Sequence, residues 1–240
     1  MIARILWFTA LALVAAVTVG VNLDRQARKT PTIATSVPET FRSSAQLAVA
    51  VFALDGENPD YALAEAERLV RRRPMPAEHL RLLAQAQFAA GQVDESGLTI
   101  QYAAQRGWRD PLAQEAMLRL AIDAGDAPEA ARRYAALFLR RDTRDELLEE
   151  LGPAVLAEPG GEGRRTLIEI VGGGDRWHNQ FLRRGARVMP PDAFAEIVTG
   201  AAAAGSRFDC RVMKQVAPIL QTRDTAAQAA FESVVESQCQ

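Results

Sequence analysis

The sequence predicts an all-α fold assembled from repeated helix pairs. Ala, Leu and Arg dominate it, and these side chains lose little rotamer freedom in a helix. Aromatic residues make up only 6%, and no long alternating run of Val, Ile, Thr and Tyr occurs, which argues against a sheet. The third observation is a phrase said twice. "FAAGQVDES" from Phe88 and "IDAGDAPEA" from Ile122 each close an Ala-rich apolar stretch with a Gly, a polar residue and an acidic turn, and Gly91 and Gly125 stand 34 residues apart.

The chain of 240 residues is 48% hydrophobic and 24% charged, the balance of a folded protein rather than a disordered one. Its formal net charge of −2 does not suggest a nucleic-acid partner. Local basic runs, Arg71 to Arg73 and "LRR" at Leu182 to Arg184, read as solvated helix ends complementing the C-terminal dipole.

Taken in order, the first element is apolar. After Arg4, no charge occurs from Ile5 to Leu23, which is long enough to span a membrane. Residues 1–24 are therefore a transmembrane anchor or a signal peptide. Trp7 stands near one end, and Arg25, Arg28 and Lys29 follow the other. No A-x-A site ends the run, which favours a retained anchor over a cleaved leader. Residues 25–40, "RQARKTPTIATSVPET", lack apolar periodicity and read as a linker.

Repeats are expected over residues 41–144. "AEHLRLLAQAQFAAGQVDESGLTIQYAAQRGWRD" from Ala77 and "PLAQEAMLRLAIDAGDAPEAARRYAALFLRRDTR" from Pro111 each read as a helix, a Gly stop and a second helix. Gly ends a helix cheaply because it takes left-handed φ without a Cβ clash. Asp94, Glu95, Asp126 and Glu129 then fall where the next helix's N-terminal dipole favours acids, and Pro128 sits in that first turn. An upstream copy runs from Ser43 to Pro76.

A helix pair at this period resembles the tetratricopeptide repeat (TPR) family. Ser96 and Ala130 hold the small-residue position of the second helix, followed by Ile100 and Tyr134, then Ala103 and Leu137. Ala62, Ala66, Leu69 and Pro74 fall at the same spacing upstream. Leu80, Leu83 and Ala84 stand where the family has Trp, Leu and Gly; Gln114, Met117 and Leu118 stand there in the next copy. Residues 145–240 carry degenerate helix pairs near 160–190 and 191–221, marked by Gly174 and Gly205, and then a capping helix. Between them, "TRDE" at Thr143 to Glu146 predicts a capping box, and Gly152-Pro153 and Pro159-Gly160-Gly161 are expected to break the pattern.

Chemistry-bearing residues are sparse. His79 and His178 have no metal-ligand spacing with each other or with Cys210 and Cys239, and read as surface or packing residues. "IEIVGGGDRW" lacks a G-x-G-x-x-G or a following Lys-Ser/Thr, so it reads as a helix-to-helix turn rather than a phosphate loop. No catalytic, cofactor-binding or metal residue is singled out. Cys210 and Cys239 are expected to pair in an oxidising compartment, tying the capping helix to the last repeat; alternatively Cys210 is only a small packing residue.

The resemblance implies an α-solenoid whose first helices line a concave surface that holds a protein or peptide. Carried onto this sequence, it offers Glu78, Arg81, Gln85 and Phe88 from one repeat and Glu115, Arg119 and Asp123 from the next. It further implies a membrane-tethered adaptor of the bacterial cell envelope, single-pass in the inner membrane with the bulk of the chain in the periplasm, or soluble there after cleavage. Self-association is the alternative, and an enzyme site in the C-terminal half is a further one.

Overall fold

A computed structural model describes residues 2–107 and 109–239 of the chain. Among these residues every regular element is helical. The chain divides into two compact units, Met1–Gly107 and Trp108–Gln240.

The first unit opens with α1 (Ile2–Ala27). Its apolar span carries no burial within the protein. Its last turns behave differently, because Gly20, Asp24 and Ala27 are buried. Residues 25–40 are not a free spacer. Arg25 to Ala27 continue α1, and 3-10 turns follow at Pro31–Ser36 and Glu39–Phe41. Their apolar residues explain the difference: Ile33, Ala34, Val37 and Phe41 pack with Leu23 and Ala27 and against α2 (Ala45–Leu54). The Asp24 carboxylate then accepts hydrogen bonds from the backbone N–H groups of Ser43, Ser44 and Ala45 at 2.8–2.9 Å. A side chain from α1 thus caps the helix that starts the folded unit.

The helices α3 (Pro59–Arg72), α4 (Ala77–Ala89) and α5 (Val93–Arg106) complete this unit. Asn58 caps α3 by accepting from the Tyr61 N–H, and Pro59 supplies the fixed φ at its first position. The pairs α2/α3 and α4/α5 pack against each other, and α3 packs on α4. Ala62, Ala66 and Leu69 are buried in α3, and Ser96, Ile100 and Ala103 in α5, at the positions the sequence spacing selects. Ser96 also donates its hydroxyl to the Ala84 carbonyl at 2.8 Å, so the small residue brings α5 onto α4.

The second unit holds α6 (Pro111–Asp123), α7 (Ala127–Phe138), α8 (Asp145–Val155), α9 (Glu162–Gly172), α10 (His178–Val188), α11 (Pro191–Ala203), α12 (Cys210–Arg223) and α13 (Thr225–Gln238). After the α6/α7 pair, packing alternates. The odd helices α7, α9, α11 and α13 pack in succession, and so do the even helices α8, α10 and α12. A chain of rings joins them through the core. Tyr134, Phe138, Phe181, Phe194 and Phe231 follow one another with centroids 5.5 to 6.3 Å apart, within the range of favourable aromatic pairs.

The repeated phrase has a geometric cause. Gly91 and Gly125 take φ of 79° and 70°. In each turn the next residue's N–H reaches back five positions, Gln92 to Gln87 and Asp126 to Ala121, which satisfies a carbonyl at the helix end. Gly205, at φ 99°, repeats the device with Ser206 bonding Ala201. Gly174 does not, and the α9–α10 connection turns without positive φ there.

Two expectations in the middle of the chain are corrected. The capping box does not form: α8 starts without a side-chain cap bond, and the Thr143 hydroxyl is buried without a partner. Nor does Gly152-Pro153 break the chain, because α8 runs through both to Val155. Gly152 is there for space. A Cβ at that position would lie 3.2 Å from the Tyr134 hydroxyl and 3.4 Å from Pro190. The break comes at the turn around Gly160, at φ 67°.

Cys210 and Cys239 lie at disulfide distance, with Cα atoms 5.6 Å apart and a sequence separation of 29. The bond ties the end of α13 to the start of α12. Closing such a loop restricts the unfolded chain, so replacing both cysteines with Ser is expected to cost about 3 kcal/mol. The unfolding midpoint of the variant in denaturant, beside that of the unreduced parent, checks this; equal midpoints would refute it.

Candidate functional site

Two helix faces carry the residues that the family resemblance selects, one in each unit. On α4, Glu78, Arg81, Gln85 and Phe88 recur three and four apart and so share one side of the helix. Phe88 is 66% exposed, a large ring facing water at the helix end. Arg81 is not open to an incoming carboxylate in the same way. Its side chain is only 12% exposed, donates to the Gln85 amide oxygen at 3.2 Å and lies 3.9 Å from Glu78.

On α6, Glu115, Arg119 and Asp123 are successive turns of one face. Arg119 is held at 3.0 Å by Glu115 and at 3.0 Å by Glu150 of α8. The hydrogen bonds that Arg119 donates to these two carboxylates raise its pKa above the ordinary value. Asp123 is exposed. Each guanidinium expected to meet a partner's carboxylate is therefore already engaged by acids or amides of its own unit. Any partner there must exchange one set of charge-assisted bonds for another, which leaves Phe88 as the largest uncompensated feature of the α4 face.

The structure places the two histidines as packing residues. His79 is buried with Nδ1 2.8 Å from the Arg73 carbonyl. The ring nitrogens of His178 face the carbonyls of Val171 at 2.8 Å and Arg207 at 3.2 Å, and its ring lies beside Phe208. The segment from Gly173 to Trp177 joins α9 to α10, so "GGGDRW" is a helix-to-helix turn. Among the described residues no three His, Cys, Asp or Glu side chains gather as metal ligands.

A run of charges does not by itself show which of its members are buried. Arg184, in the run read as a solvated helix end, is buried on α10. Its guanidinium donates to the carbonyls of Phe138 and Arg140 at 2.6 Å, to that of Thr143, and to the Asp145 carboxylate at 2.8 Å. It closes the end of α7 and the start of α8 in one clasp. The signal was present, because Arg184 sits three residues after Phe181 and four before Val188 on one buried helix face. Arg164 plays a similar part on α9, reaching Asp192 at 2.6 Å, Glu196 at 2.7 Å and the Leu156 carbonyl. In the first unit the buried Glu65 accepts from the Gln46 amide at 2.7 Å and pairs with Arg68.

Two ionisable groups report these environments. Burial alone would raise the Glu129 pKa, but hydrogen bonds from Arg132 and Arg133 outweigh it and hold the carboxyl below its ordinary range. Burial pushes the Tyr134 hydroxyl well above its ordinary value, and that hydroxyl donates to the Leu148 carbonyl at 3.2 Å. Both are structural groups of the second unit. No family model, curated protein or solved structure matches the chain.

Proposed function

We propose that the chain is a membrane-tethered α-solenoid scaffold of the TPR kind, working in the bacterial cell envelope. In this reading α1 stays in the inner membrane and the remaining helices stand in the periplasm. There they hold a protein or peptide partner through exposed side chains of α4 and α6. The observation that carries the reading is the double nature of α1. Its apolar span finds no protein to cover it, which a membrane would supply, while Gly20, Asp24 and Ala27 belong to the folded unit. Cleavage after the apolar run would cut beside residues that hold the start of α2.

Three further observations support it. The first helices of two pairs, α4 and α6, end on the same glycine turn, helices of the second unit pack in odd and even succession, and Cys210 and Cys239 suit an oxidising compartment. A second reading, self-association, is favoured by Leu98 and Tyr102, which lie one turn apart on α5 and are 58% and 59% exposed.

Membrane retention tests the tether. After expression in a bacterial host, the chain is expected to stay in the membrane pellet through an alkaline carbonate wash and to show the intact mass of the uncut chain. Recovery as a soluble product shortened at its N-terminus would defeat the anchored reading.

A further inference from the structure

The second unit contains a basic hollow beside the turn that joins α7 to α8. It encloses about 420 Å³ and is lined by Arg141, Asp145, Gln180, Arg183, Arg184 and Arg187. Two of these are occupied internally. Arg184 is bound to Asp145 and to three carbonyls, and Gln180 donates its amide to the Leu139 carbonyl at 3.1 Å. The other three arginines are exposed, and none hydrogen-bonds or pairs with an acid among the described residues. Other arginines of the unit do have acidic partners, among them Arg119, Arg132, Arg133 and Arg164. Here three like charges line one hollow whose single acid, Asp145, is already held by Arg184, although the chain as a whole is slightly acidic.

We propose that Arg141, Arg183 and Arg187 form a docking site for an acidic segment of a partner protein. Arg183 and Arg187 are one helical turn apart on α10, so their side chains leave the helix about 5–6 Å from each other. Alternate residues of an extended peptide are separated by about 6.6 Å, so two carboxylates on one side of such a segment can meet both guanidiniums. The planar fork of Arg receives a carboxylate with two parallel bonds, which gives direction as well as charge. Asp145 sets the inner limit. Its carboxylate is held by Arg184, and it turns away an acid that enters too deeply. Glu149 lines the neighbouring hollow on the far side of Arg187 and limits the site there.

A membrane surface fits less well. Peripheral binding to lipid combines basic residues with apolar side chains that enter the acyl boundary. No large apolar side chain from residue 141 to 190 is exposed. The site is therefore charged without an apolar complement, as an acidic peptide requires. It is separate from the α4 and α6 faces and does not depend on them.

The test uses the full chain in neutral detergent micelles and a fluorescent hexaglutamate peptide, read by anisotropy at low salt. Three proteins are compared: the parent, R183E/R187E, and R71E/R73E, which makes the same change in net charge in the first unit. The expected result is binding by the parent, a loss of about tenfold or more in R183E/R187E, and a change of less than about twofold in R71E/R73E. Binding by the parent is also expected to weaken steeply as salt rises. R183Q/R187Q, which removes charge without reversing it, replaces the first variant if circular dichroism shows that the reversal disturbs folding. Absence of binding by the parent, or equal losses in both charge-reversal variants, would overturn the proposal. So would displacement of the peptide by millimolar glycerol 3-phosphate, which would assign the hollow to lipid headgroups instead.

Discussion

Arg184→Met is expected to lower the stability of the second unit by about 3–5 kcal/mol, the range for removing one partner of a buried, hydrogen-bonded charge. Methionine fills much of the space but gives nothing to the carbonyls of Phe138, Arg140 and Thr143 or to Asp145. Each acceptor left without a donor and without water costs about 1–3 kcal/mol, so the loss does not rest on one contact. The guanidinium also lies 5.5 Å from the Phe138 ring centroid, a contact that Met does not replace in kind. Arg184→Lys should fall between parent and Met, because an ammonium keeps the charge but cannot fork to four acceptors. Denaturant unfolding of the three proteins measures the order. A loss below about 1 kcal/mol for Met would mean that the α7–α8 turn holds without its clasp.

Asp24→Ala is expected to have the next largest effect, on the junction between α1 and the first unit. The carboxylate serves three backbone N–H groups at the start of α2, and an N-terminal cap alone is worth about 0.5–2 kcal/mol. Here the cap comes from another helix, so its loss does two things. It frees the first turn of α2, and it removes the polar link that fixes α1 to the unit. Limited proteolysis of detergent-solubilised protein should show new cleavage between residues 28 and 44. Asp24→Asn, which keeps an acceptor oxygen, should be cut more slowly than Asp24→Ala. Identical digestion of parent and Ala variant would show that the apolar contacts of Ile33, Val37 and Phe41 suffice.

Much of the helical layout was legible because its signals are local. Pro59, Pro111 and Pro191 start helices, Gly91, Gly125 and Gly205 end them, and buried positions recur at helical spacing between. These devices act within a turn or two of chain, so they leave a mark in the text. What was illegible depends on meetings between distant residues. Asp24 caps a helix that starts about 20 positions later, and Arg184 bonds carbonyls more than 40 positions earlier. Gly152 looked like a breaker but is a point of close approach to Tyr134 and Pro190. A Gly reads the same in both roles until its neighbours are known.

The candidate faces were legible as positions but not as chemistry. Periodicity identifies Glu78, Arg81, Gln85 and Phe88 as one side of α4. It cannot say that Arg81 is largely covered while Phe88 stands open. Likewise the run at Leu182 to Arg184 hid three different fates: Leu182 in the core, Arg183 exposed at a hollow, and Arg184 buried in a clasp.

The claim that this chain holds a partner is tested most directly at Phe88. A photoreactive benzoylphenylalanine replacing Phe88 in the full chain, activated by light in intact cells, would capture whatever lies against that face. We expect one envelope protein to be recovered, at a yield that falls when Gln85→Glu is added on the same face of α4. Recovery of the chain crosslinked only to itself, or of no product, would contradict the scaffold reading.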